Sequence, residues 1–514
     1  MNGNRLVERQ GRMNDRAARF VVVGGWVLAL VAGCSSLPSV GPDYERPEFA
    51  VPKYDMPDAG QPTSNLTATC EYSPAKDTED QRLEITKGVV DQWWRRFNDP
   101  VLNRLVEGGV SNNVGYLRAK MRLEQANWEL LGSYAAFRPH FVGAGDWGRN
   151  WYHKFTSGGG GNRTHYNAQS VALDGQWELD IFGGNRRLSE AAFAEAEAAG
   201  WTLDDAWVSL TMQIGIQYIN LRTTQELIGV ARTNLVLQSE TYDILKSRLD
   251  SGIGDELAVN QCAYVVEQTR ARIPTLLAEE ESYKNTLAIL AGEMPGSLDD
   301  ELAPVPVRRD WLLAPQKVGE LKLDMMRARP DVRAAERALA AQTARIGAAK
   351  AQWFPKLFIN GAVGWEAKQH HRFFSTDSFF ATLGPSISWP IFQGGAIYAN
   401  VKATEAKMYE KALDYEEAIQ NAYREVRDAY SAYTQEYHRY QALAMAVKAA
   451  TDAVAISKDL YKNGLKDFNN VLDAQRSRLE FEEQFALSRG QITSNLIALY
   501  RALGGGLAVD KLDE

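Results

Sequence analysis

"LYKNGLKDFNNVLDAQ", residues 460–475, interrupts what otherwise reads as one helix of more than a hundred residues without a proline. Gly464 stops the helix and an acidic residue restarts it. "SRLDSGIGDELAVNQCA", residues 247–263, has the same shape: a charged amphipathic run, a glycine pair, an acidic restart and a second amphipathic run. Two breaks of one design 212 residues apart, at Gly252 and Gly464, point to an internal duplication.

Two further landmarks share that spacing and order. "YLRAKMRLEQANWELLGSYAAFRP" (116–139) aligns with "DVRAAERALAAQTARIGAAKAQWFP" (331–355), and "QWELDIFGGN" (176–185) aligns with "SWPIFQGGA" (388–396). Each copy reads as helix, extended hairpin, very long helix, break and shorter helix. From Gly184 to Gly252 there is no proline, and Ala, Glu, Leu and Gln abound, which favours a rod of roughly 100 Å at 1.5 Å per residue. Leu203, Trp207, Leu210, Ile214, Tyr218 and Leu221 recur at three- and four-residue spacing, a packing stripe along that rod. Rods of such length need partners along their sides, as in a coiled coil.

The hairpins alternate with period two. Val171, Leu173, Trp177, Leu179 and Ile181 oppose Ala172, Asp174, Gln176, Glu178 and Asp180. In the second copy Leu357, Ile359, Val363 and Trp365 form one face, and Phe379, Ala381, Leu383, Ile387, Trp389 and Ile391 continue it against Thr382, Ser386 and Ser388. Strands of this kind, apolar on one side with aromatics near their ends, suit a membrane barrel. A soluble sandwich carries the same alternation. Four strands cannot close a barrel, and an open edge is forbidden in lipid, so in a membrane three copies would have to share twelve strands. Pro139 and Pro355 stand where helix yields to strand, and Gly183, Gly184, Gly394 and Gly395 where strand yields to helix.

The divisions expected are a signal peptide at 1–33, a leader and equatorial segment at 34–90, and a first repeat at 91–296 with hairpin 140–182 and helices 187–250 and 254–291. A Pro-rich linker at 297–316 precedes a second repeat at 317–505, with hairpin 356–392 and helices 396–463 and 466–503, and a tail at 506–514. Five arginines precede the apolar run Phe20–Ala32, which is too short for a permanent span and suits a signal peptide. It ends in "LVAGC", where Cys34 fits a lipobox and would carry a covalent lipid that anchors the chain. Removal of residues 1–33 shifts the net charge from −8 to −11, which gives no electrostatic reason to bind nucleic acid. Cys70 and Cys262 remain, free or paired.

"GPDYERP" (41–47), "QWWRRFNDPVLNRLVE" (92–107), "WELDIFGG" (177–184), the 327–355 stretch, "PIFQGG" (390–395) and "LYRALGGG" (499–506) together resemble the TolC-like outer membrane factors, in the lipoprotein branch of NodT- and OprM-like efflux channels. The resemblance implies a mainly α chain with a membrane β-barrel portion, built as a homotrimeric twelve-stranded barrel on a long periplasmic α-barrel. It implies a passive exit duct for small molecules, lipid-anchored in the outer membrane and docked through a periplasmic adaptor to an inner-membrane pump. No P-loop, zinc pattern or catalytic triad stands out, and neither an enzyme nor a cofactor is expected. His370 and His371 read as surface-loop residues.

The same resemblance places a periplasmic gate at the helix breaks. Asp473 matches the second of two gate aspartates, and Asn470 stands where the first would be. Tyr461 and Lys466 match residues that bridge to the first-copy helix pair, where Ala258 occupies the acceptor position and Asp255, Glu256 and Asp467 are the substitutes. The outside of the breaks, Gly252, Ile253 and Gly254 with Gly464 and Leu465, would receive the adaptor. Type I protein secretion and a trimeric spacer lipoprotein are the competing readings.

Overall fold

The computed structural model describes residues 39–47, 92–152, 164–305, 326–367 and 373–504. Cys34, Cys70, His370, His371, the signal peptide, the rest of the leader, most of the Pro-rich linker and the C-terminal tail lie outside them. The helices are α1 (Pro100–Asn112), α2 (Val114–Tyr134), α3 (Gly184–Asp250), α4 (Glu256–Ala291), α5 (Pro330–Ala351), α6 (Ala396–Lys462) and α7 (Phe468–Ala502). The strands are β1 (His140–Tyr152), β2 (Thr164–Leu179), β3 (Lys356–Ala367) and β4 (Phe379–Ser388). The two copies agree in measure: α3 and α6 are each 67 residues long, and α4 and α7 are 36 and 35. The chain falls into two compact units, one of residues up to Pro47 with Glu124–Ala198 and Glu336–Asp414, the other of the remainder.

The first unit holds an antiparallel sheet in the order β1-β2-β3-β4. Its register aligns the apolar sets of all four strands: Trp177 faces Ile359, Leu173 faces Val363 and Val171 faces Trp365, while Val363 faces Ala381 and Trp365 faces Phe379. Residues directly opposite share a face, so one side of the sheet is apolar from edge to edge. Leu383, Ile387, Phe141 and Trp147 on that side are 65–79% exposed. The reverse side is laced by polar side chains. Gln176 donates to Asn360 (3.1 Å), Asn360 donates to Ser386 (2.6 Å), and Lys356 meets Glu178 at 2.9 Å. Aromatic residues gather at both ends of the strands. Trp177 donates to the Phe137 carbonyl and Trp389 to that of Trp353 at one end, while Trp365 meets Phe374 and Phe379 at the other. Eight residues separate Trp177 from Gln169, the partner of Trp147, or about 26 Å along the strand.

The strands end earlier than the alternation predicted. β2 stops at Leu179 and β4 at Ser388, so Ile181, Trp389 and Ile391 fall outside the sheet. The cause is local: the Asp180 carboxylate accepts from the Arg186 backbone N–H (2.8 Å) and starts α3 at Gly184, and Pro390 has no N–H to give a ladder. Gly183 (φ +77°) and Gly394 and Gly395 (φ +57° and +87°) take the left-handed turns into the rods.

Residues 39–47 form a strap in this unit. The Val40 N–H donates to the Phe182 carbonyl (3.2 Å), and Gly41 (φ +105°) lies with its backbone against Gly347, where no Cβ fits. Arg187, its side chain 4% exposed, donates to the carbonyls of Val40 (3.3 Å) and Gly41 (3.4 Å) and to Asp43 (2.6 Å). Burial opposes its charge, but the Asp43 and Glu190 carboxylates more than offset this and hold its pKa above the ordinary value. Glu336, fully buried, is matched by Arg46 (2.7 Å) and Arg337 (3.0 Å). "GPDYERP" thus acts as a clasp, with Gly41, Asp43 and Arg46 each placed against a specific partner.

In the second unit Asp99 caps α1, accepting from Val101 (2.9 Å) and Leu102 (3.3 Å), with Pro100 at the first helical position. Tyr218 donates to the other Asp99 oxygen (2.8 Å), and Arg96 donates to Tyr500 (2.7 Å). Trp93, Phe97, Leu102, Leu105, Ile214 and Leu221 are buried in this unit.

Arg187→Ala removes three hydrogen bonds to the strap and should weaken its seating by roughly 2–4 kcal/mol. Limited proteolysis of the folded protein is expected to cut within 39–47 in the variant well before the native chain.

Candidate functional site

Both helix breaks are built by the same backbone device. At the end of α3 the Gly252 N–H donates to Leu249 (2.8 Å) and the Ile253 N–H to Arg248 (3.1 Å); at the end of α6 Gly464 donates to Tyr461 (3.0 Å) and Leu465 to Leu460 (2.9 Å). This is the Schellman pattern, with glycine at φ +72° and +71°. Asp255 and Asp467 then stand at the N-cap positions of α4 and α7; the Asp255 carboxylate accepts from the Leu257 N–H (3.0 Å), whereas the Asp467 side chain makes no capping bond. Gly252, Ile253, Gly254 and Asp255 therefore correspond one to one with Gly464, Leu465, Lys466 and Asp467. Lys466 replaces a glycine whose Cβ would collide with the Leu249 backbone, so the two tips differ at that position.

Behind the tips lies a core of Leu245, Ala258, Val259, Cys262, Val265, Phe468, Val471 and Leu472, with Tyr461 packed against it. Ala258, at the expected acceptor position, is part of this core. Tyr461 is held by stacking: its ring meets Phe468 edge-on (5.3 Å) and the Arg248 guanidinium lies over it (5.3 Å). Among the described residues no hydrogen bond joins it to Asp255, Glu256 or Asp467. Cys262 is a free buried thiol near the Gln238 carbonyl, and burial pushes its pKa up to about 11, so it packs as a small apolar group.

Asn470 and Asp473 lie on the other side of α7, and Lys466 lies in the turn just before it. Lys466, Asn470 and Asp473 are exposed, while Phe468, Val471, Leu472 and Gln475 are buried. Asn470 donates to the Asp467 carbonyl (3.2 Å). Asp473, its side chain 76% exposed, lies 3.7 Å from Arg476, whose guanidinium also hydrogen-bonds the Tyr264 hydroxyl of α4 and sits over that ring (5.2 Å). The sequence reading missed Arg248, Tyr264 and Arg476. The three-residue spacing of Asp473 and Arg476 was the available signal; the pairing of α7 with α4 was not visible.

Gly252→Ala and Gly464→Ala meet no neighbouring atom, so each should cost only the left-handed conformation, about 1–2 kcal/mol. Gly254→Ala forces a backbone collision and should cost more. Hydrogen exchange at residues 249–256 and 460–468 is expected to rank the variants in that order.

The sequence profile described as "Outer membrane efflux protein" matches residues 110–293 and 324–505. A nodulation protein T of Rhizobium leguminosarum bv. trifolii is 29% identical over 93% of this chain and 95% of its own length. The toluene efflux pump outer membrane protein TtgF of Pseudomonas putida is 28% identical over 93% and 95%. The solved outer-membrane channel OprN superposes with a TM-score of 0.79 at 30% identity, covering 91% of this chain and 99% of its own. The two blocks of the profile match coincide with the two structural repeats, and the chain belongs to the outer membrane efflux protein family, whose members are channels of the Gram-negative outer membrane and not enzymes.

Proposed function

We propose that three copies of this chain form a twelve-stranded barrel in the outer membrane, lipid-anchored through Cys34, that serves as the passive exit duct of a tripartite efflux system for small toxic molecules. The observation that carries this reading is the four-stranded sheet with one apolar face, a polar ladder on the other, and two edge strands that pair on one side only among the described residues. In hydrocarbon an unpaired edge is untenable, and the pairing of β4 with β1 of the next copy removes every edge. The polar ladder then lines the lumen, which supports a water-filled path. The efflux-pump relative named for toluene supports small apolar compounds as cargo.

The helix breaks serve as the gate. Asp473 projects from the side of α7 opposite the core, and three such carboxylates converging on an axis attract cations and resist closure. Arg476 tempers that charge and ties α7 to α4 through Tyr264. Tyr461 keeps the end of α6 shut by packing on Phe468 and Arg248, while Asp255, Glu256 and Lys466 place charge around the same rim. On the outside of the tips Ile253 and Leu465 are 71% and 68% exposed, although the position after a Schellman glycine commonly packs back on its own helix. With Gly252, Gly254 and Gly464 they offer a small apolar cog for the helical tips of a periplasmic adaptor, which joins the duct to an inner-membrane pump.

Native mass spectrometry in mild detergent should give three chains per particle; a monomer would overturn the barrel. In planar bilayers Arg476→Ala combined with Tyr264→Phe is expected to raise ionic conductance, and Asn470→Asp, which adds a second carboxylate ring, to shift the reversal potential toward cations. Unchanged conductance and selectivity in both variants would remove the gate from these residues.

A further inference from the structure

The apolar face of the sheet is not evenly covered. In the register Phe141 faces Gly175, Gly175 faces Gly361 and Gly361 faces Leu383, so the two inner strands contribute bare backbone to one row. Glycine in a strand interior costs stability and often marks the close approach of something else. Part of the space is used by the flanking side chains: the Phe141 ring lies 2.8 Å from where a Gly175 Cβ would be, and Leu383 3.3 Å from where a Gly361 Cβ would be. Between those two walls, with Leu173 and Val363 at one end and Trp177 and Ile359 at the other, a bowl of about 350 Å3 remains on the greasy face.

The strap points to what fills it. Ser39 rests against Gly183, and Val40 is hydrogen-bonded to Phe182, so the strap begins beside the foot of β2. Cys34 lies five residues before Ser39, a reach of at most about 18 Å. Gly175 lies four residues before the end of β2 at Leu179 and seven before Phe182, so at most about 23 Å from it, and at most about 16 Å across a membrane for a strand tilted near 45°. Half of a hydrocarbon core is about 15 Å thick, the depth one acyl chain covers. An acyl chain attached at Cys34 and entering the membrane beside the foot of β2 is therefore long enough to reach the bowl.

We propose that one fatty acyl chain carried by Cys34 lies along the foot of β2 and β3 and seats its end in the bowl floored by Gly175 and Gly361. This rests on the lipidation of Cys34 proposed above. The anchor then does more than retain the protein: it seals a defect in the barrel's own outer surface and fixes the start of the strap to the sheet.

The test uses the full-length channel in cells fed palmitate with a terminal diazirine, irradiated before extraction and purified as the assembled particle. Mass spectrometry of the mature N-terminal peptide reports whether Cys34 carries the probe, and peptide mapping reports where its far end reacted. Adducts from the Cys34 peptide to residues 173–177 and 359–363 are expected, and Ala381→Phe, which fills the bowl beside Val363, should lower their yield several-fold without changing particle size. A labelled Cys34 whose adducts fall on other segments or on phospholipid alone overturns the seat but leaves the anchor standing. An unlabelled Cys34 overturns both. A channel exported with a non-lipid leader and Cys34→Ala should lose the bowl adducts; retention at the same yield would assign the bowl to bulk lipid and overturn the proposal.

Discussion

Backbone hydrogen bonding at the sheet edges is the constraint from which the rest follows. Among the described residues β1 and β4 each pair on one side only, and the same sheet carries an apolar face with aromatic residues at both strand ends. Hydrocarbon offers no donor or acceptor to the outward rows of N–H and C=O groups, at several kcal/mol for each one left unsatisfied. A sheet that is greasy on one side, polar on the other and incomplete at both edges fits the shared wall proposed for three copies. The duplication supplies the arc economically: each copy gives one hairpin, and β2 and β3 join the two copies side by side.

Below the strands, buried charge supplies specificity. Glu336 is fully buried between Arg46 and Arg337, and Arg187 is nearly so between strap carbonyls and carboxylates. Removal of one partner from such a pair leaves an uncompensated charge, which is more costly than the pair is stabilising. Arg329 follows the same logic in the second unit: burial works against its charge, but Asp331 (2.7 Å) and Glu425 (2.8 Å) more than compensate. These contacts fix where the strap and the helix starts sit and leave the rods free to pack by shape.

The tips obey a different economy. Their turns are closed by backbone bonds and two left-handed glycines, with a buried apolar core behind them. Near the tip the exposed side of α7 carries the Asp473–Arg476 pair and the contact of Arg476 with Tyr264, and an exposed ion pair of this kind contributes at most about 1 kcal/mol. Weak polar ties over a well-packed core suit the opening proposed for this end.

The duplication, the helical rods, the strand alternation and the glycine breaks were all legible in the sequence, because each is a local rule of periodicity or backbone freedom. Strand ends were overrun by two or three residues, since an apolar Ile181 or Ile391 looks the same whether it continues a ladder or follows Asp180 or Pro390 out of it. What only the tertiary structure decided is which residues meet across long separations. Gly41 against Gly347, Tyr461 under Arg248, Arg476 on Tyr264, and Gly175 beside Gly361 join segments that no spacing rule connects. Periodicity fixes the direction in which a side chain leaves its own element, but register and helix pairing, set by the sum of many weak contacts, determine what it finds there.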